Sequence, residues 1–378
     1  AYESAPNSTD LTWETVITKN IGLDLGFLNN RLNVSFDAYI RDTKDMLMAG
    51  KTLPGVYGAS SPRMNVADLR TKGWEASITW GDSFTLASKP FNYRVMAGIG
   101  DNTSKVTKYD NPNRTLTDPY EGQQLGEIWG YVVDGYFKTD EEARNYKVDQ
   151  SFVNQMINAS ALDNGLHAGD LKFVDLDGNN KIEQTTSAND RKDMKVIGNS
   201  LPRYNYNFGI SADWYGIDFS VLFQGIGKQN WYPGAETSMF WGPYSRPYAS
   251  FIPSDFMSQV WSEENTDAYF PRPRGYVALG SNRELAVVNT KYLQNLAYCR
   301  LKNLSIGYTL PDKWLSKIGF EKIRVYFSGE NLLTFTKLHS DYIDPEQASA
   351  SNSWKTSKSD ANIYPWAKTY SFGVDITF

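Results

Sequence analysis

The stretch YNYNFGISADW places Tyr204, Tyr206, Phe208, Ile210, Ala212 and Trp214 on one side and Asn205, Asn207, Gly209, Ser211 and Asp213 on the other. Strict two-residue alternation over such a length describes an extended strand with two unlike faces. Strands of soluble proteins usually run about five or six residues, whereas a tilted strand crossing a bilayer needs about 9 to 11. The pattern resumes after Tyr215 and Gly216 as IDFSVLFQ, with Ile217, Phe219, Val221 and Phe223 on the apolar side, so the two segments form a hairpin. It recurs in LNVSFDAYI, where Leu32, Val34, Phe36, Ala38 and Ile40 alternate with Asn33, Ser35, Asp37 and Tyr39. The terminal TYSFGVDITF repeats it with Tyr370, Phe372, Val374, Ile376 and Phe378. Further strands are predicted over 16–27, 70–80, 91–106, 295–310, 322–335 and 367–378, about nine in all.

Connector lengths alternate as well. Short ones fall at 28–31, 81–90, 215–216 and 311–322, and long ones at about 41–69, 107–202, 228–294 and 336–366. Outer-membrane barrels have short periplasmic turns on one rim and long extracellular loops on the other. A soluble sandwich has no reason to sort its loops, and loops this long are uncommon inside compact domains. The predicted fold is therefore all-β, an antiparallel transmembrane barrel, with 107–202 and 228–294 as long extracellular loop regions. In this reading Tyr370, Phe372 and Phe378 face lipid and interface as the barrel-assembly signal, and Phe378 sits at the periplasmic rim. The last strand then runs inward and residues before about 16 lie outside. Bacterial barrels have even strand numbers, so 1–378 reads as the C-terminal part of a larger barrel.

Composition narrows the function. Net charge is -5 with a pI near 5.3, which supplies no basic field for nucleic acid. Aromatic residues make up 14% of the chain, which favours strands, and no apolar run approaches the ~20 residues of a spanning helix. A single Cys299 and two histidines, His167 and His339, cannot build a cysteine or multi-histidine metal site. No GxSxG is present either, so no enzyme activity is expected. A soluble β-rich binding protein remains the competing class at this point.

Two constellations stand out. In DLDGNNKIE, Asp175, Asp177 and Asn179 take the first, third and fifth places of a calcium loop and Lys181 offers a backbone carbonyl. Gly178 falls two places early, Asn180 stands at the sixth position and Thr186 at the twelfth; Glu183 lies nearby and Asp190 is the expected substitute for the missing carboxylate. Ca2+ or a similar hard cation is one reading of this set. An Asp/Asn/Gly turn bonding its own backbone is the other. The second constellation is aromatic: Trp129, Tyr131, Tyr136 and Phe137 in one long loop, and Trp231, Tyr232, Phe240, Trp241, Tyr244, Tyr248 and Trp261 in another. Such rings can stack on sugars or clamp peptides, and Trp129, Tyr131, Tyr136, Trp231, Tyr232, Trp241 and Tyr244 are the candidate ligand contacts. About three in four of these rings are expected instead to fill a loop core or meet a partner. Inward polar residues such as Asn33, Asp37, Asn205, Asn207, Asp213 and Asp218 are expected mostly to bond one another or a plug.

Seven blocks in order, LTWETVITKNIGLDLGFLNNRLNVSFDAYIRDTKDML, NVADLRTKGWEASITW, GQQLGEIWGYVVDGYF, GDLKFVDLDGNNKIE, DRKDMKVIGNSLPRYNYNFGISADWYGIDFSVLFQG, LKNLSIGYTLP and IRVYFSGENLLTFTK, resemble the C-terminal barrel half of SusC/RagA-type TonB-dependent outer-membrane transporters. The resemblance implies a 22-stranded barrel with an N-terminal plug. It further implies a Gram-negative outer-membrane importer of oligosaccharides, peptides or similar nutrients, working beneath a SusD-like surface lipoprotein and driven by TonB acting on the plug. The expected partners are thus the N-terminal plug and barrel portion, the lipoprotein, TonB, outer-membrane lipid and the nutrient. A non-transporting adhesion or structural barrel explains the same alternation.

Overall fold

The structure, a computed structural model, describes residues 11–50, 55–58, 61–154, 165–245, 251–280, 282–315, 319–348, 358–359 and 364–378. Nine long strands form one sheet: β1 (Thr15–Phe27), β2 (Leu32–Ala49), β3 (Arg63–Leu86), β4 (Lys89–Lys108), β5 (Arg203–Trp214), β6 (Ile217–Lys228), β7 (Tyr298–Thr309), β8 (Lys322–Thr336) and β9 (Thr369–Thr377). Each pairs antiparallel with its neighbours in chain order, so the sheet is an uninterrupted meander and the strand number read from alternation holds.

Register explains why alternation was so clear. Leu25 pairs with Val34, Val34 with Ile78, Ile78 with Ala97, Ala97 with Phe208 and Phe208 with Phe223. Ile306 pairs with Phe327 and Phe327 with Phe372, so the apolar face runs across the whole sheet. A one-residue slip would move every one of these side chains to the opposite face. On β2 the apolar row from Leu32 to Ile40 is bounded by an Arg31–Asp82 ion pair (3.1 Å) at one end and an Arg70–Asp42 pair (2.6 Å) at the other. Eight rises of about 3.3 Å give about 26 Å along the strand, close to the ~25 Å apolar band of outer-membrane barrels.

The polar face is organised by glycines. Tyr39 lies opposite Gly73, and Tyr326 opposite Gly373. In both pairs the tyrosine ring folds over the glycine and fills the space of a Cβ. Gly307 serves a different contact. The Asp218 carboxylate of β6 meets Arg324 of β8 across it (Oδ1 to Nε 2.8 Å, Oδ2 to Nη2 2.6 Å), and a Cβ at Gly307 would lie 2.5 Å from both groups. Asn20 donates to Asp37 at 3.3 Å and Asn92 to Asp213 at 2.7 Å, so these inward polar groups bond one another as expected.

The strands outrun the sequence reading. Residues 81–90, read as a connector, continue β3 and β4, whose ladder runs from Gly81–Arg94 to Leu86–Lys89. The connection is the Ala87–Ser88 turn, with φ of 48° and 63°. Tyr215 and Gly216 close the β5–β6 hairpin in the same way, at 49° and 81°. Positive φ at both central positions matches the twist of the flanking strands. β2 likewise extends to Ala49, so its connector to β3 is 50–62. Four connectors, at 50–62, 109–202, 229–297 and 337–368, leave from one end of the meander. Most of the buried apolar residues belong to these connectors rather than to the sheet.

Candidate functional site

The long connectors fold into a cap with its own core. Short strands organise it: Glu127–Tyr131 pairs with Met194–Asn199, Val133–Tyr136 with Leu171–Phe173, and Asn230–Pro233 with Gln294–Asn295 and Lys358–Ser359. The helix Asp140–Arg144 starts at Thr139, whose Oγ1 accepts from Glu142 N at 3.1 Å, while Glu142 Oε2 accepts from Lys138 N at 2.8 Å. These reciprocal bonds satisfy N–H groups at the helix start that have no partner within it.

Trp231, Tyr232, Phe240, Trp241, Tyr244, Phe270 and Tyr292 form the centre of the cap and are fully buried. Phe240 meets Trp241 edge-on at 4.7 Å, Trp241 meets Tyr292 at 5.2 Å, and Phe270 stacks on Phe256 at 4.7 Å. Tyr131 and Tyr136 join from the preceding connector. The polar tips are committed: Tyr232 Oη donates to Leu285 O (2.8 Å), Tyr244 Oη to Pro271 O (2.6 Å) and Trp241 Nε1 to Gly234 O (2.9 Å), and the Tyr136 and Tyr292 hydroxyls bond each other at 2.8 Å. Burial pushes these tyrosines far above their ordinary value. Of the seven candidate ligand contacts, Tyr131, Tyr136, Trp231, Tyr232, Trp241 and Tyr244 are buried in the cap's core, their faces covered by other rings and chain. Trp129 is half-buried on the strand opposite Val196. Tyr248 lies outside the described residues.

The Asp-rich loop is wound as a nest of side-chain acceptors. Asp175 Oδ1 accepts from Gly178 N and Oδ2 from Asn180 N, both at 2.7 Å; Asp177 Oδ1 accepts from Asn179 N at 3.1 Å. Asn179 Oδ1 accepts from Lys181 N at 2.8 Å, and its Nδ2 donates to Glu183 Oε2 at 3.0 Å. Asn180 takes the left-handed conformation, φ 62°, at the place where a calcium loop has glycine. A carboxylate that the sequence reading did not name, Asp193, lies closer to Asp175 and Asp177 than its spacing suggests. Asp190 is 68% exposed and pairs with Lys192 at 3.5 Å, whereas Asp193 is buried and has carboxylate oxygen within 4.8 Å of those of Asp175 and Asp177. Asp193 accepts from Leu176 N (2.8 Å) and Glu183 N (2.7 Å). Burial pushes Asp193 up, and the neighbouring Asp177 and Asp175 carboxylates push the same way. Asp175 is desolvated too, but the N–H groups of Asn180 and Gly178 outweigh that and hold it below the usual carboxylate range. Three oxygen-donor carboxylates crowded in this way suit a hard cation, which would relieve their repulsion.

Two concavities border these elements. One, of about 740 Å³, lies between the start of the Asp140–Arg144 helix and the 257–273 segment, with Asp140, Trp261, Glu263, Glu264 and Arg272 in its walls. Asp140 is held low chiefly by the Ala168 N–H, at 2.8 Å. The other, about 370 Å³, is a shallow trough in the polar sheet face bounded by Asp37, Glu75, Asp101, Asn205 and Asn207. Sequence reading singled out Trp261 but not Asp140 or Arg272, since nothing local signals that segments more than 100 residues apart share a wall.

Comparison with known proteins covers the whole of this arrangement. A family profile described as TonB dependent receptor-like, beta-barrel, matches residues 1–332. TonB-dependent receptor P3 of Formosa agariphila is 28% identical over 388 residues, a span covering 98% of this chain and 34% of that protein. TonB-dependent receptor SusC of Bacteroides thetaiotaomicron is 24% identical over 371 residues, covering 98% and 32%. Among solved structures, the RagAB peptide importer in its open-open state superposes with a TM-score of 0.69 at 22% identity, over 98% of this chain and 35% of that one. The chain thus spans about a third of the length of the curated relatives it matches.

Proposed function

This chain belongs to the TonB dependent receptor-like β-barrel family, and from that premise we propose that it supplies the closing strands and outer loops of a nutrient importer in the Gram-negative outer membrane. The observation that carries the reading is the pairing of a continuous apolar sheet face with long connectors that all leave from one end and fold into a cap. In this reading the apolar face meets lipid, and the polar face with its Asp37–Glu75–Asp101 trough meets the plug. The cap is the surface for a SusD-like lipoprotein and for an oligosaccharide or peptide nutrient, and TonB acts through the plug. With the central rings occupied in packing, nutrient contact falls to the cap's surface, where the cleft over the largely buried Trp261 presents Asp140, Glu263, Glu264 and Arg272. Tyr370 and Phe372 are exposed on β9, and Phe378, just beyond it at the end away from the cap, is exposed too; in this reading they form the barrel-assembly signal.

The test is extraction of the native protein in mild detergent and identification of every polypeptide that copurifies. A plug-bearing portion, joined or separate, together with a surface lipoprotein is the expected result. A stable species of this barrel without a plug or lipoprotein would remove energised import and leave an adhesive or structural barrel.

We also propose that Asp175, Asp177, Asn179, Asp193 and the Lys181 carbonyl hold Ca2+ or a similar hard cation. Chelation of the intact protein is then expected to lower the melting temperature of the cap and release about one ion per chain, restored by added Ca2+. Unchanged melting and metal content would leave the loop as a self-bonded turn.

A further inference from the structure

Beneath the cap surface lies a second acidic pair that the transport reading does not use. Asp170 precedes the Leu171–Phe173 strand and Glu284 belongs to the later long connector; both are fully buried. Arg274 serves them unequally. Its Nε and Nη2 both donate to Asp170 Oδ1, whereas its Nε stands 3.7 Å from Glu284 Oε1, too far for a hydrogen bond. Asp170 Oδ2 further accepts from His167 N at 2.9 Å. Glu284 Oε2 receives only a long contact from Leu171 N at 3.4 Å, and no hydrogen-bond partner reaches Oε1 among the described residues. Two fully buried carboxylates thus have the hydrogen bonds of essentially one guanidinium between them.

An unpaired buried carboxylate costs several kcal/mol and ordinarily neutralises by taking up a proton. We infer that Glu284 and Asp170 hold one proton between them, and that its loss loosens the junction of the 165–174 and 274–290 segments, making the cap a pH-responsive clasp. The inference concerns the cap's closure and stands whatever nutrient the cap admits.

The surroundings agree. Burial and the nearby Asp170 push Glu284 up to about 8, with Arg274 and Arg272 opposing; burial likewise pushes Asp170 up against the same two arginines. The other titratable groups facing Glu284 are Tyr136, Tyr232, Tyr244 and Tyr292, all kept neutral by burial. The His167 side chain lies at the cap surface, 3.7 Å from Asp140. The sign follows from proton binding. Below the ordinary value of 4.5 closed and open forms both carry the proton; between 4.5 and about 8 only the closed form keeps it, so closure weakens as pH rises and levels off above.

Hydrogen exchange on the intact transporter in detergent tests this directly. After correction for intrinsic exchange, amides of 165–174 and 274–290 should open about tenfold more per pH unit between about pH 5.5 and 8, then level off. Glu284→Gln or Asp170→Asn removes the titrating pair, and loss of that slope in either variant, with the rest of the sheet unchanged, is the expected result. A flat wild-type profile, or a slope that persists in both variants, would overturn the proposal. The wild-type profile decides alone should a variant fail to assemble.

Discussion

Arg300→Met is expected to free the 337–348 segment from the rim of the sheet at a cost of about 3–5 kcal/mol. Arg300 lies on β7 and is almost wholly buried. Its Nη2 meets Asp344 Oδ1 at 2.8 Å, its Nη1 meets Glu346 Oε2 at 3.1 Å, and its Nε donates to Thr334 Oγ1 of β8 at 2.9 Å. Asp344 is tied into the connector around it: its Oδ1 accepts from Glu346 N and its Oδ2 from Trp366 N at 3.1 Å. Removing the guanidinium leaves two largely buried carboxylates with, among the described residues, the Lys302 ammonium 2.9 Å from Glu346 to offset them. Limited proteolysis reads the result, since cleavage within 337–348 should become fast while the sheet stays resistant. Adding Asp344→Asn and Glu346→Gln should recover much of the loss, because the cost lies in the unpaired charges. Unaltered cleavage of the single variant would show that this ion cluster does not hold the segment.

Trp241→Ala should cost a similar amount, about 3–5 kcal/mol, and spend it on the cap alone. The indole touches Phe240, Tyr292, Phe270 and Tyr232, and its Nε1–H is bonded to Gly234 O. Alanine leaves a cavity that rings fixed by their own hydrogen bonds cannot fill. Melting followed by near-ultraviolet dichroism should show an early cap transition, with the folded barrel's compact gel mobility kept. Loss of both together would mean that cap and sheet form one cooperative unit.

Residues differ in how far the sequence betrayed them, and the reason is range. Alternation exposed the meander because each strand must sort its own side chains between two faces, a constraint written locally in LNVSFDAYI or TYSFGVDITF. The Ala87–Ser88 turn was hidden because left-handed φ is usually announced by glycine or asparagine, and here the ladder on either side imposes it on residues that give no sign. Aromatic richness in the long connectors was visible, but which rings face each other was not. Tyr136 and Tyr292 are 156 residues apart, and Asp170 and Arg274 are 104 apart. Asp190 could be named from the sequence, whereas the proximity of the buried Asp193 to Asp175 and Asp177 depends on burial and chain path, which spacing does not carry.

That difference in range also sets an order of events. Every rung of the hairpin ladder from β1 to β4 joins neighbours in the chain, so little entropy is lost in closing each loop. The Val133–Thr290 and Tyr136–Tyr292 bonds close stretches of more than 150 residues, and those stretches shorten only once β5, β6 and β7 are side by side. The sheet is thus the jig on which the cap is assembled, and during refolding compact gel mobility should return before the Trp241 environment does.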